Sequence, residues 1–141
     1  MWALAKGRKL ADGSTPQSAQ TLIDLESSSK VTTIRIGAVG NSAEPLSGSW
    51  ADAMDPTKGT PALIKFNPFK LGSLGGGIAR NPEASLVHEA FHAHEISNGL
   101  LSKTDLRKTA EVGATSVENW HRKSMGLPQR TTYGSWTVPT H

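Results

Sequence analysis

The chemistry available to this chain concentrates in His88-Glu89-Ala90-Phe91-His92. Two histidines four positions apart lie on one face of an α-helix, about one turn from each other, so both imidazoles reach a single ion. The glutamate after the first histidine then stands beside that ion, where its carboxylate can take a proton from water. On a helix, an HExxH of this kind is the arrangement in which zinc and a carboxylate make a nucleophile near neutral pH and hydrolyse a peptide bond. The plain alternative is a surface helix that happens to carry two histidines. The flanking residues and a carboxylate further along the chain argue against it.

Two histidines leave a catalytic zinc one protein ligand short, because such an ion usually has three, with a fourth position open for water. Glu95 falls on the same helix face, but three ligands in a row along one helix do not surround an ion. The route through a glycine turn to a histidine six residues past His92 is closed, since the chain has Glu95 and Asn98 there. Glu111, nineteen residues after His92, is the expected third ligand. That separation accommodates the end of the first helix, a loop over 100–104 and an antiparallel return. His121 and Glu118 are the competing ligands, and an ordinary exposed helix glutamate is the other reading of Glu111.

These residues need two helices to hold them. Asn81 suits an N-cap, Pro82 the first helical position, Glu83 the positive end of the dipole and Gly99 a left-handed stop. The result is a predicted helix of roughly sixteen residues with Leu86, Val87, Ala90 and Phe91 packed below the histidines. Capping by Thr104 or Asp105 and closure at Gly126 and Pro128 predict a second helix over about 105–125. On it Glu111, Thr115, Glu118 and Arg122 form one polar stripe. The stripe is either a solvated, salt-bridged face or a set of groups that hold histidine tautomers and orient substrate. Gly113 in mid-helix costs roughly 1 kcal/mol relative to Ala, which a close helix–helix contact at the metal site would explain.

The rest of the chain supplies scaffold. Thr15-Pro16 followed by Ala19, Leu22, Ile23 and Leu25 predicts a short amphipathic helix ending near 27–29. Residues 31–39 are β-branched and predict a strand, and Ala62-Leu63-Ile64-Lys65-Phe66 predicts a second, expected as the edge to which an extended substrate adds. Residues 41–60 are polar with prolines and glycines and receive no element, with Trp50 as their one candidate anchor. The glycine-rich stretch 71–77 connects to the active-site helix and lacks the Lys-Ser/Thr ending of a phosphate loop.

Composition bounds the function. A length of 141 residues suits one core and hence a single domain over 1–141. No segment approaches the eighteen consecutive apolar residues of a membrane span, and the first seven residues lack the pattern of a secretory signal. Cysteine is absent, which removes disulfide and redox chemistry. The net charge is +3 and the pI about 9.4. The basic residues are scattered without interleaved aromatics, so a nucleic-acid module is not expected.

The run His88-Glu89-x-x-His92-Ala93-His94, the later Glu111, Glu118-Asn119-x-x-Arg122 and Gly126-Leu127-Pro128-x-Arg130-x-x-Tyr133 resemble the NleD-like family of secreted effector metallopeptidases. Similar domains also end bacterial polymorphic toxins. Ile64-Lys65-Phe66-Asn67-Pro68 is similar to the strand and Asn-Pro turn that precede the family's active-site helix. The resemblance covers roughly residues 59–134. HExxH specifies only the zincin group, and the Glu-Asn, Arg and Arg-x-x-Tyr pieces narrow it. The resemblance implies zinc, endopeptidase chemistry, and export from the producer's cytoplasm into a target cell. Its partners would be a protein substrate there and an immunity protein if the target is a competing bacterium, with no nucleic acid and no membrane span.

The expected architecture is a compact α+β, zincin-like domain, with a small sheet on one side and the helix pair as active-site floor. His88, His92 and Glu111 hold zinc and Glu89 is the general base. Tyr133 is the candidate donor to the developing oxyanion, with Arg122 and His121 as alternatives and plain packing as the other reading of the tyrosine. Two rival functions stand beside the peptidase. One is a zinc-dependent amidase acting on cell-wall peptides, which a closed pocket would favour. The other is a non-catalytic, zinc-stabilised binding module.

Overall fold

The computed structural model describes residues 1–141. In chain order the elements are α1 (Trp2–Gly7), α2 (Gln17–Ser27), β1 (Thr32–Ile36), β2 (Ser42–Pro45), α3 (Trp50–Ala53), β3 (Ala62–Phe66), α4 (Pro82–Asn98), α5 (Leu106–Ser124), β4 (Thr132–Tyr133) and β5 (Trp136–Thr137). The architecture is α+β, and α4 is its axis: α1, α2, α3, α5, β2 and β3 all pack on it.

Local chemistry explains why α4 begins and ends where it does. Asn81 accepts the Ala84 N–H at 2.9 Å, Pro82 occupies the first turn, and Gly99 at φ 68° turns the chain out of the helix. A side chain on Gly99 would collide with the Asp55 carbonyl, so both φ and space require glycine there. Leu86, Val87, Ala90, Ala93 and Ile96 are all buried to 3% exposure or less. A helix enclosed on most sides shows no single apolar stripe, and α4 has none.

The three-stranded sheet has the order β1-β3-β2, with β3 parallel to β1 and antiparallel to β2. Ala62, Ile64 and Phe66 alternate along β3 and join Leu22 and Leu25 of α2, Leu86, Val87 and Ile96 of α4, Leu101, and Val117 of α5 in one core cluster. The parallel pair sets Ile34 opposite Ile64, and the antiparallel pair sets Ala43 opposite the same residue.

Two expectations need correction here. Ala62–Phe66 is the central strand, so it offers no free edge; the edge beside α4 is β2. Residues 41–60 are not without elements, since they contain β2 and α3. Ser-Ala-Glu-Pro has poor intrinsic β-propensity, and it is a strand because β3 supplies its partners. Trp50 opens α3 and is 45% exposed, so it anchors nothing in the core. The amino-terminal helix α1 carried no motif. It is fastened to α2 by Glu26, which accepts from Trp2 Nε1 at 2.9 Å and pairs with Lys6 at 3.0 Å.

The second long helix, α5, falls within a residue of the expected span, although Asp105 precedes it with φ 47° and no side-chain cap. Phe91 of α4 faces Gly113 of α5 and His88 faces Glu118, an order that makes the two helices antiparallel. A Cβ on Gly113 would lie 3.1 Å from the Phe91 ring. The mid-helix glycine thus buys close approach of the two helices next to the histidines.

Candidate metal centre

The antiparallel pair brings His88, His92 and Glu111 together, with one ligand atom of each inside 4.8 Å of the others. Glu111 Oε2 lies 2.9 Å from His88 Nε2 and 3.4 Å from His92 Nε2. Donors on a tetrahedral ion at about 2.0–2.2 Å stand roughly 3.3–3.6 Å from one another, so the His92–Glu111 separation suits a small divalent cation as it stands, and the His88–Glu111 separation would open by about half an ångström to admit one. Two imidazoles and one carboxylate are also a ligand set that leaves a coordination position free for water. The expected competitors lie elsewhere. Glu118 sits on the far side of the His88 ring, 3.0 Å from Nδ1, and His121 faces Glu83 Oε1 at 3.2 Å, within ion-pair distance but without an aligned hydrogen bond.

The charges of the trio are closely coupled. Burial pushes His88 towards the neutral form, but the hydrogen bonds to Glu111 and Glu118 and the charges of Glu118 and Glu89 outweigh it and raise the imidazole to about 10. Burial likewise opposes ionisation of Glu111, yet its bonds to His88 and His92 hold it far below the usual carboxylate range. The surrounding carboxylates thus favour positive charge at His88, a charge that a metal ion held by the three donors would supply instead.

Glu118 is an organising group. Its Oε2 faces His88 Nδ1 and accepts from Arg130 at 3.0 Å, and its Oε1 accepts from Arg122 Nε at 2.8 Å. A carboxylate only accepts, so Nδ1 carries a proton and Nε2 is aimed at the cluster, the relation that orients ligating histidines. Of the two readings of the polar stripe, the solvated one fails at Glu118 and Arg122, each 2% exposed. Arg122 also donates to the carbonyls of Pro128 and Ala79 at 3.3 Å each. It is held beneath the site, and neither it nor His121 is placed as an oxyanion donor.

Glu89 is 9% exposed, and its carboxyl is raised by burial, against the pull of His88 and His92. It lines two clefts together with Tyr133. One, of about 340 Å³, continues past His88, Ser73, Lys70 and Arg80; the other, of about 400 Å³, continues past His92, Glu111, Ala43, Trp50 and Leu106. Tyr133 lies in the β4–β5 hairpin with its ring 5.9 Å from that of His88 and nearly parallel to it, at 21°. Burial and the negative charge of Glu111 raise its phenol, which keeps it protonated and able to donate.

Three supporting devices escaped the sequence reading. Asn119 grips the chain ahead of the hairpin: it accepts from Arg130 N–H at 2.8 Å and donates to the Arg130 and Pro139 carbonyls at 2.7 and 2.9 Å. His141 stacks on Trp120 at 4.1 Å and exchanges hydrogen bonds with Gln129 at 2.7 Å, fixing the far side of the same segment. Arg8 meets the Glu83 carboxylate at 2.9 and 3.0 Å and ties the amino-terminal segment to the first turn of α4. Only Glu83, expected as a dipole partner, gave a local hint of this last contact.

The chain matches the Peptidase_M91 family, described as effector protein, over residues 10–133. That span is most of its length, and the chain belongs to this family. No curated protein and no solved structure matches it.

Proposed function

From a member of an effector family named as a peptidase, we propose a zinc-dependent endopeptidase in which His88, His92 and Glu111 hold the zinc and Glu89 is the general base. When bound, zinc supplies Lewis-acid polarisation of the scissile carbonyl and eases ionisation of water to about pH 7. Glu89 takes the proton of the attacking water, the water oxygen adds to the carbonyl carbon, the C–N bond breaks, and Glu89 returns the proton to the leaving amine. The Tyr133 phenol donates to the carbonyl oxygen as its charge develops.

One observation carries the endopeptidase reading: two clefts share Asn41, Glu89 and Tyr133 in their linings and are otherwise walled by different residues, so that together they extend the space around Glu89. A polypeptide can run through such a groove, whereas a small cell-wall amide would be better served by a closed pocket. The β2 edge along one cleft gives an extended substrate a backbone to pair with. A binding module braced by metal would have no use for a buried, unpaired Glu89 open to both clefts. The zincin-like architecture and the action of residues 1–141 as one domain belong to the same proposal, supported by the shared core of α2, α4 and α5. So does a protein substrate inside a recipient cell after export from the producer, where an immunity protein would protect a bacterial producer.

The test is a map of new protein termini in recipient-cell lysate treated with zinc-loaded wild-type protein or with Glu89→Gln. Internal cuts made only by the wild type are expected; identical maps would remove the proposal.

A further inference from the structure

We propose that the cleft beside His88 and Ser73 selects an anionic side chain of the substrate, with Lys70 and Arg80 as the specificity-determining residues. The inference rests on the endopeptidase reading and deepens it.

The walls of the two clefts differ in kind. That past His92 is mainly apolar, with Ala43, Trp50, Ile96, Leu101, Leu106 and Ala110 in its lining, and its one cation, Arg107, is exposed to solvent. That past His88 has three cations, Lys70, Arg80 and Arg130, and two carboxylates, Glu89 and Glu118. Glu118 and Arg130 satisfy one another at 3.0 Å, and Glu118 is further engaged by Arg122 and His88. Lys70 and Arg80 remain, against the single unpaired carboxylate of the buried Glu89. The lysine and arginine ion pairs of the chain involve Lys6, Arg8, Lys58, Lys65, Arg122 and Arg130, and neither cleft cation takes part in one. Both are partly buried. Two cations against one carboxylate in a concave, partly desolvated wall focus positive potential into it.

Their backbones are held in place. The Arg80 N–H donates to Gly72 at 2.8 Å, closing a loop bridged at Ser73 and Ala79, and the Ala79 carbonyl is the one that Arg122 holds. Lys70 closes a turn on Asn67 at 3.2 Å, and the Asn67 N–H is held by Asn41 Oδ1 at 2.8 Å. Both cations therefore project from turns tied to the site, and binding an anion costs mainly their side-chain freedom. Arg80 offers a planar fork and Lys70 a point charge, a combination that accepts either a carboxylate or a phosphate. Because the more apolar cleft shares Glu89 and Tyr133 with this one, the groove would read a peptide with an acidic residue and a bulky apolar residue near the cut.

The experiment uses random-sequence peptide pools identical except at one fixed position, which is Glu, phosphoserine or Gln. Zinc-loaded wild-type protein should cleave an anionic pool faster than the Gln pool. A charge-assisted contact is worth about 1.5–3 kcal/mol, so Lys70→Glu/Arg80→Glu should lose roughly 10- to 100-fold on the anionic pool, and less than that on the Gln pool, with zinc content near that of the wild type. The single variants Lys70→Gln and Arg80→Gln should fall between, which covers a poorly folded double variant. Faster cleavage of the Glu pool assigns a carboxylate, and faster cleavage of the phosphoserine pool a phosphate. In parallel, fluorescent versions of the pools are bound to the Glu89→Gln protein, where anionic pools should bind more tightly and lose that advantage at high salt. Equal cleavage of all three pools with equal binding overturns the subsite and leaves the peptidase standing. Salt-sensitive anionic binding with no cleavage of any pool keeps the subsite and overturns the peptidase.

Discussion

His88 faces a carboxylate with each ring nitrogen: Nδ1 lies 3.0 Å from Glu118 and Nε2 2.9 Å from Glu111. One carboxylate belongs to the proposed ligand trio and the other sets the ring's tautomer. The two should therefore respond differently to removal. Glu118→Ala should weaken zinc binding by roughly 10- to 100-fold through misorientation of His88. It also leaves Arg122 and Arg130 without their counter-ion, so stability should drop by about 3–5 kcal/mol. Chelator competition and denaturant melts measure the two effects. A Glu118→Ala protein that binds zinc less well than Glu111→Ala would reverse the assignment of the third ligand.

Zinc content should be about one per chain and should fall to background in His88→Ala, His92→Ala and Glu111→Ala. His94 is the control, because its ring stacks near Phe91 at 6.3 Å and its Nε2 lies 3.9 Å from Asp24 of α2, away from the trio. Elemental analysis of His94→Ala should give the wild-type ratio. Full zinc in His92→Ala would refute the site.

Glu89→Gln keeps the shape of the side chain and removes its basicity. Zinc content and melting temperature should stay near those of the wild type, while peptide cleavage falls by about 10²- to 10⁴-fold. Matched progress curves on one substrate decide it, and equal rates would mean that another group takes the proton.

Strand addition at β2 has its own test. Leu46 donates to the Pro61 carbonyl at 2.8 Å, so by alternation Ser42 and Glu44 turn their backbone towards β3 and Ala43 turns outward. Pro45 shares the outward phase and has no N–H, which leaves Ala43 as the free donor of that edge. Ala43→Pro should cost one hydrogen bond to an extended substrate, roughly a 2- to 10-fold fall in kcat/KM, with zinc unaffected. An unchanged kcat/KM would place the substrate elsewhere.

Glu95 sets a pH dependence outside the ligand trio. Burial pushes its carboxyl from 4.5 up to about 7. The folded state therefore holds this proton more tightly than the unfolded one, and stability contributed below pH 4.5 is lost as pH rises through about 7. Glu95→Gln should be more stable than wild type above that window, by on the order of 1 kcal/mol once partial solvation is allowed for. Urea melts on both sides of the window measure this difference, and a gap that does not change with pH would show that the carboxyl does not titrate there.

The two helices were readable from the chain because their signals are local: Asn81, Pro82 and Gly99 bound α4 without reference to any other element. Glu111 could be singled out because helix phase and loop length limit what can return to His92. The sheet order could not be read, since β2 owes its existence to β3 and the edge depends on which strands flank the centre. Arginine is ordinarily a surface residue, so nothing in Arg122 or Arg130 announced burial at 2% and 8% exposure. The four-residue spacing of Glu118 and Arg122 is the same on a wet face as on a dry one. Arg8 and Glu83 are 75 positions apart and meet only in the folded chain.

The recognisable motifs begin only at Ile64, yet Ala19, Leu22 and Leu25 of α2 are buried to 5% exposure or less, and α2 packs directly on α4. The half that carries the proposed ligands therefore lacks its own floor. A fragment starting at residue 59 would present the underside of α4 to water, where it should bind hydrophobic dyes and aggregate while still carrying every proposed ligand. Proteases that nick the stretch between α2 and β1 and let the amino-terminal helices leave would disarm the protein without touching its groove. The part of the chain that looks dispensable by motif is where a binder or an antibody could inactivate it from behind.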